Sequence, residues 1–175
     1  MAFLPLHAAG DGDWVFEYVI SSYVPSISAL VDSTESSFPK DDNLKMVVIT
    51  DPYSLHFTKE ELSKIKEQVP QKYLEHLPPD TTVTDVLDRI SYASIVHFAC
   101  HGRQEQIEPL KTHLLLPSGR LEMAKLMQKP MPNAVLAFLS ACETAMGDED
   151  MEDEVIHMAA TMLFARFKMV VGTMW

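Results

Sequence analysis

A histidine and a cysteine, two residues with complementary chemistry, stand at the ends of two short apolar runs. The runs are residues 94–102 (SIVHFACHG) and 134–143 (AVLAFLSACE), and each is typical of a buried strand. His101 and Gly102 close the first run, and Cys142 stands near the end of the second. An imidazole can take the proton of a thiol, and the thiolate that results attacks a carbonyl carbon. The two residues are therefore a candidate general base and nucleophile for acyl transfer.

The spacing of this pair suits two neighbouring parallel strands. Cys142 follows His101 by 41 residues (142 − 101), which is enough for a crossover connection, whereas a hairpin needs only a few residues. In open α/β sheets the strand carboxyl ends share one edge, so residues just past neighbouring strands meet in one crevice. We expect the backbone N–H groups of Gly102 and Cys142 to face the developing oxyanion. Gly102 suits this role because it has no side chain to block the approach.

Other interpretations of these residues remain open. Cys142 can be a buried cysteine that packs as a small hydrophobe, with His101 hydrogen-bonded at a strand end. A zinc site made of Cys100, His101 and Cys142 lacks a fourth ligand, and neighbouring residues of a strand face opposite sides. The same alternation turns His97 towards a helix layer, where we expect a core histidine with a hydrogen-bond partner. The sequence predicts no metal and no other cofactor.

An acidic run, residues 148–154 (DEDMEDE), follows the second apolar run. Most of its carboxylates are expected to be solvated and to favour the start of a helix through the helix dipole. Asp153 and Glu154 are the best placed to accept a basic side chain of a substrate. Negative charge so close to Cys142 should raise the pKa of its thiol, which works against the thiolate and favours a non-catalytic role.

Composition narrows the class of protein. A chain of 175 residues with 47% hydrophobic content predicts one folded domain with a sizeable core. The net charge of −11, with 14 scattered basic residues, argues against nucleic acid or an anionic membrane as partner, so a protein or peptide is expected. Two cysteines at strand ends indicate a reducing compartment, and neither a basic leader nor a membrane-length apolar stretch is apparent. We therefore expect a cytoplasmic protein.

The remaining pattern alternates between strands and helices. Further strands are predicted at residues 14–23, 44–50, 72–74 and 169–175, a hairpin around 117–120, and helices at 25–31, 58–68, 81–90, 122–128 and 152–167. Thr58 and Glu61 are spaced as a capping box for the helix that Thr58 begins. This alternation predicts an α/β sandwich with helices on both faces of the sheet.

Several separated motifs strongly resemble the CHAT domain, a caspase-like module often found behind tetratricopeptide repeats. They are SSYVPSISAL (21–30), VVITDP (47–52), VHFACHG (96–102) and the long stretch 139–175 that begins LSACETAMGDED. CHAT domains are similar to caspases and separases, cysteine peptidases in which the His of a His-Gly pair and the Cys of a Ser-Ala-Cys-like turn form a dyad. The resemblance implies that His101 and Cys142 are this dyad.

The resemblance also implies a caspase-like three-layer α/β/α sandwich with a mainly parallel central sheet, formed by one domain over residues 1–175. The implied function is a cysteine endopeptidase, and the alternative is a catalytically inactive CHAT signalling or interaction module. The caspase signature Gln-Ala-Cys-Arg-Gly is replaced by residues 140–144 (SACET), so a preference for acidic substrates does not follow. The family usually begins upstream and continues downstream, so we expect a domain incomplete at both ends and a longer parent chain with a tetratricopeptide-repeat region.

Overall fold

The computed structural model describes residue 18 and residues 44–103, 105, 108, 111–140 and 154–172. Its strands are β1 (Met46–Thr50), β2 (Leu74–Leu77), β3 (Ile95–Ala99), β4 (His101–Arg103), β5 (His113–Leu116), β6 (Gly119–Glu122), β7 (Leu136–Leu139) and β8 (Met169–Gly172). Its helices are α1 (Thr58–Gln68), α2 (Val83–Ser91), α3 (Met123–Gln128) and α4 (Glu154–Phe164). The strand predicted at 14–23, apart from Tyr18, and the helix predicted at 25–31 lie outside the described residues.

Within the described residues, the central sheet has five strands in the order β2-β1-β3-β7-β8, and all of their pairings are parallel. β3 is the middle strand, and its residue Ile95 pairs with Met46 of β1 and with Leu136 of β7. The apolar runs seen in the sequence form these inner strands because both faces of a parallel sheet are covered and exclude water. The prediction of a mainly parallel α/β sheet is confirmed.

Helices cover both faces of this sheet. Val96 and Phe98 of β3 belong to one cluster of buried apolar side chains. The same cluster includes Val86 and Ile90 of α2, Leu126 of α3 and Met162 of α4. His97 points to the opposite face, where it contacts Glu61 of α1. The arrangement is the predicted three-layer sandwich, with α2, α3 and α4 on one side of β3 and α1 on the other.

A second, smaller sheet contains β4, β5 and β6 in antiparallel order. Its β5–β6 hairpin confirms the turn predicted around residues 117–120. β4 is a strand that the sequence analysis missed, because three residues that include a glycine carry no readable alternation. Only Cys100 separates β4 from the end of β3, and His101 and Gly102 pair with Leu115 and Leu114 of β5.

Two local predictions are wrong. The capping box does not form: α1 is preceded by Phe57 without a side-chain cap, and Thr58 Oγ1 instead donates to the Leu55 carbonyl at 2.9 Å. This bond keeps Thr58 inside the first turn, and Glu61 points to the sheet. The strand predicted at 72–74 is displaced, because residues Gln71–Tyr73 form a 3₁₀ turn and the strand that follows is β2.

Within the described ranges, the helices are too short or too polar to cross a membrane.

Candidate functional site

The carboxyl ends of β1, β3 and β7 meet at one edge of the central sheet. The backbone N–H of Asp51, just past β1, donates to the Ala99 carbonyl at 2.8 Å. The backbone N–H of Ser140, just past β7, donates to the Phe98 carbonyl at 2.8 Å. Strand pairing therefore extends to the last residue of each strand. The three strands end side by side, at the same height along the strand direction. This is the edge at which the sequence analysis expected its candidate residues.

His101 stands at this edge. It is the first residue of β4, two residues beyond the end of β3, and it is partly exposed. Its neighbour Cys100 is only 1% exposed and belongs to the main apolar cluster together with Phe98, the residue that was expected to share its face. Cys142 and Asp153 lie outside the described residues, and Glu154 is the first residue of α4.

Gly102 lies against α4. A Cβ atom at Gly102 would come within 2.6 Å of Met158 Cε and 3.1 Å of Met158 Sδ. These two atoms are the end of a flexible side chain, but Met158 is 2% exposed, so they have to shift within the packed core. A glycine therefore suits this position because α4 packs closely against it. This reason is separate from the access for an oxyanion that the sequence suggested. Successive strand residues face opposite sides, so His101 faces away from Met158.

We expect Gly102→Ala to lower the free energy of unfolding by about 1–2 kcal/mol, because overpacking a buried contact strains its neighbours. Urea denaturation of the purified chain measures this loss. The matched control is Gly172→Ala, since a Cβ at Gly172 meets nothing within 4 Å. In a Met158→Ala background the colliding atoms are gone, and Gly102→Ala should then cost less. An equal cost in both backgrounds would show that Met158 is not the cause.

A partly buried polar cluster lies beside the same edge, centred on Glu61 of α1. Glu61 Oε1 is 3.1 Å from His97 Nε2, and it also accepts a hydrogen bond from Ser140 Oγ. An ionised carboxylate can only accept, so His97 Nε2 carries the proton of its bond. The ring of His97, which is 5% exposed, stacks on Phe138 with centroids 4.9 Å apart. The prediction that His97 is a core histidine with a partner is confirmed.

The environment of Glu61 favours its ionised form. Burial by itself raises the pKa of Glu61, but the hydrogen bonds from His97 and Ser140 and the electrostatic attraction of His97 outweigh it. The net pKa of Glu61 is lowered from its ordinary value of 4.5. A lowered carboxyl pKa in the folded state stabilises the fold above the unfolded-state pKa. This contribution is lost as the pH falls through the folded-state value, so it is fully present at neutral pH.

Sequence reasoning missed Glu61 and Ser140 as partners. Glu61 was assigned to a capping box, and Ser140 was noted only as part of a motif. The available signal was His97 itself, because a buried histidine on a central strand needs a polar partner from the helix that covers its face. Which polar residue that is depends on how α1 packs, since Glu61 and His97 lie 36 residues apart in the chain.

The turn after β1 also lies at this edge. Asp51 is 7% exposed, and its carboxylate accepts hydrogen bonds from the backbone N–H groups of Tyr53 (3.1 Å) and Ser54 (3.2 Å) and from Ser54 Oγ. These bonds form an Asx-type turn, so the Asp51 carboxylate holds its own loop. The loop leaves two aromatic side chains in solvent, Tyr53 at 79% and Phe57 at 76% exposure. They offer apolar surface beside the strand ends.

Among the side chains that the structure describes, no group of three or more His, Cys, Asp or Glu residues is arranged to hold a metal ion.

The family model described as CHAT domain matches residues 1–175. No curated protein gives a significant match to the chain.

Proposed function

The chain belongs to the CHAT domain family, whose fold is caspase-like, and on this premise we propose that it is a cysteine endopeptidase. In this proposal Cys142 is the nucleophile, His101 is the general base and acid, and the substrate is a protein or peptide. A tetratricopeptide-repeat region in a longer parent chain is a further part of the proposal.

The observation that carries the proposal is the register between β3 and β7. Phe98 pairs with Leu139, an offset of 41 residues (139 − 98), and 41 is also the spacing between His101 and Cys142 (142 − 101). Neighbouring strands lie only about 4.8 Å apart. His101 and Cys142 are thus each three residues beyond a directly paired position. Because the two offsets are equal, the proposed base and nucleophile follow adjacent strands at the same distance beyond paired residues, which supports their acting together.

The proposed reaction uses the two residues in turn. His101 takes the thiol proton of Cys142, and the sulfur attacks the peptide carbonyl to form a C–S bond. Backbone N–H groups of Gly102 and Cys142 are proposed to stabilise the oxyanion that develops. The imidazolium of His101 then protonates the leaving amine as the C–N bond breaks. Water, deprotonated by His101, hydrolyses the thioester, and the proton returns to the sulfur, so one water is consumed for each bond cleaved.

Charged and aromatic side chains near the candidate residues suit substrate recognition. Asp153 and Glu154 are proposed to accept a basic side chain of the substrate, because carboxylates pair with Lys or Arg. The exposed rings of Tyr53 and Phe57 fit apolar parts of a polypeptide at the same sheet edge.

The second candidate function is a catalytically inactive interaction module. It is favoured by the acidic run 148–154 close to Cys142, since neighbouring carboxylates disfavour a thiolate. Such a module would still use its exposed aromatic surface to contact another protein.

Thiol reactivity separates the two functions. We expect a peptidyl chloromethyl ketone to label Cys142 on the order of 100-fold faster than it labels free cysteine, because an aligned imidazole supplies the thiolate. Mass spectrometry after timed labelling gives both rate constants, and Cys100, at 1% exposure, is an internal control that should stay unlabelled. A peptide library should be cleaved by the same preparation. The inactive module would cleave nothing and would react at Cys142 no faster than free cysteine.

A further inference from the structure

Three elements of the fold converge on a single carboxylate oxygen. Glu61 Oε1, on α1, is bonded to His97 on β3 and to Ser140 directly after β7. These partners lie 36 and 79 residues from Glu61 along the chain. The contacts therefore join the helix layer to two neighbouring strands of the central sheet, at the edge where the candidate residues leave it.

Ser140 is held by its main chain as well as by its side chain. Its backbone N–H donates to the Phe98 carbonyl at 2.8 Å, and its hydroxyl donates to Glu61. The stacking of His97 on Phe138 fixes the ring that shares the Glu61 oxygen. Two constraints on one residue fix both its backbone position and its side-chain rotamer. Ser140 is two residues before Cys142 in the sequence.

We propose that Glu61, His97 and Ser140 form a clamp that fixes the point at which the chain leaves β7 towards Cys142. Glu61 and Ser140 are then positioning residues for the proposed nucleophile, and to that extent the inference rests on the proposed function. The clamp gives a role to a carboxylate that is partly buried at the sheet edge, with 30% of its side chain exposed, because the two hydrogen bonds replace the water contacts that it loses there.

A catalytic role for Ser140 itself does not fit the geometry. Its hydroxyl donates to Glu61, whereas a serine nucleophile needs a base that takes its proton. The lowered pKa of Glu61 makes that carboxylate a weaker base than an ordinary one. His97 donates a hydrogen bond to the same carboxylate oxygen and so helps to stabilise its negative charge. The cluster therefore holds its partners together and transfers no proton.

The test uses Ser140→Ala and Glu61→Gln, with Ser140→Thr as the conservative variant that keeps the hydroxyl. The first readout is the rate of Cys142 labelling by a peptidyl chloromethyl ketone divided by its rate with iodoacetamide. Both reagents need the thiolate, but the ketone also needs its peptide to be bound with the carbonyl aligned to the sulfur and the proposed oxyanion donors, whereas iodoacetamide needs only access. We expect this ratio to fall about tenfold in Ser140→Ala and Glu61→Gln, since small misplacements near the reacting atoms are costly, and to recover in Ser140→Thr.

The matched control is Ser91→Ala. Ser91 is buried, at 4% exposure, whereas Ser140 is half-buried. The Ser91 hydroxyl donates to the Asp88 carbonyl at 2.7 Å, but Ser91 lies at the end of α2, away from the clamp. Losing that bond should lower stability much as Ser140→Ala does and leave the labelling ratio unchanged. A merely structural role of Ser140 would make the two variants behave alike.

The second readout does not depend on a reactive cysteine. Amide hydrogen exchange, followed by mass spectrometry of the peptide that spans residues 139–143, should become about tenfold faster in Ser140→Ala than in Ser91→Ala, because exchange reports local opening. Unchanged exchange in this peptide, or an unchanged labelling ratio with a reactive Cys142, overturns the clamp. If Cys142 is unreactive in the unsubstituted chain, the peptidase proposal fails, and the exchange result alone decides the clamp.

Discussion

Replacing Cys142 by alanine is expected to abolish peptide cleavage, with kcat/KM falling by at least about 10⁴-fold, because the acyl-enzyme forms through its sulfur. Alanine keeps the backbone N–H that is proposed to face the oxyanion, so the fall in kcat/KM can be attributed to the missing thiol. The measurement is cleavage of a peptide selected from the library, under single-turnover conditions with enzyme in excess. Labelling by the peptidyl electrophile should disappear in the same variant.

The control for this variant is Cys100→Ala. Cys100 is 1% exposed within the main apolar cluster, so it is a packing residue on the face of β3 away from His97. Losing its sulfur should lower the free energy of unfolding by about 1 kcal/mol and leave cleavage nearly unchanged. Activity that survives in Cys142→Ala would eliminate the peptidase mechanism.

Replacing His101 by alanine is expected to lower kcat/KM by about 10³-fold, because a positioned general base and acid contributes on this scale. The thiol of Cys142 then has to ionise without an imidazole. Labelling by iodoacetamide should consequently require a higher pH than in the unsubstituted chain, with a midpoint no lower than the value of about 8.5 for an ordinary thiol, because the nearby acidic run also disfavours the thiolate. Rates measured across a pH series give both profiles.

The matched control for His101 is His76→Gln. His76 lies on β2, at the edge of the sheet, and its Nε2 is 3.1 Å from Thr50 Oγ1, a contact that a glutamine amide can replace. This variant should retain cleavage and the original pH profile. If both histidine variants lose activity equally, or if neither does, His101 is not the general base.

The central sheet was predictable because its signals are local. The runs that became β1, β3 and β7 are continuous apolar segments, and only strands covered on both faces need such segments. The helix α2 was readable from its apolar spacing, and Thr82 caps it through a hydrogen bond from the Asp85 backbone N–H at 3.2 Å. The prediction that two candidate residues follow neighbouring parallel strands needed only strand identity and crossover length.

Other features depended on how distant segments pack. β4 forms because His101–Arg103 pairs with β5, which begins ten residues further along the chain (113 − 103). A segment of three residues has no sequence pattern that would predict this pairing. From the sequence, Gly102 was expected to leave access for an oxyanion. The structure adds a second reason for a glycine, because a Cβ atom there would collide with Met158 of α4.

The sequence by itself determined the parallel α/β architecture and the spacing of 41 residues between His101 and Cys142, because strand periodicity and chain distance are written along the chain. Only the tertiary structure decided that the register of β3 and β7 has the same offset of 41 residues. It also decided that Glu61 binds His97 and Ser140 rather than capping its own helix. The physical reason is that a polar side chain can form hydrogen bonds with several different partners, and the packing of the elements around it decides which partner lies within reach.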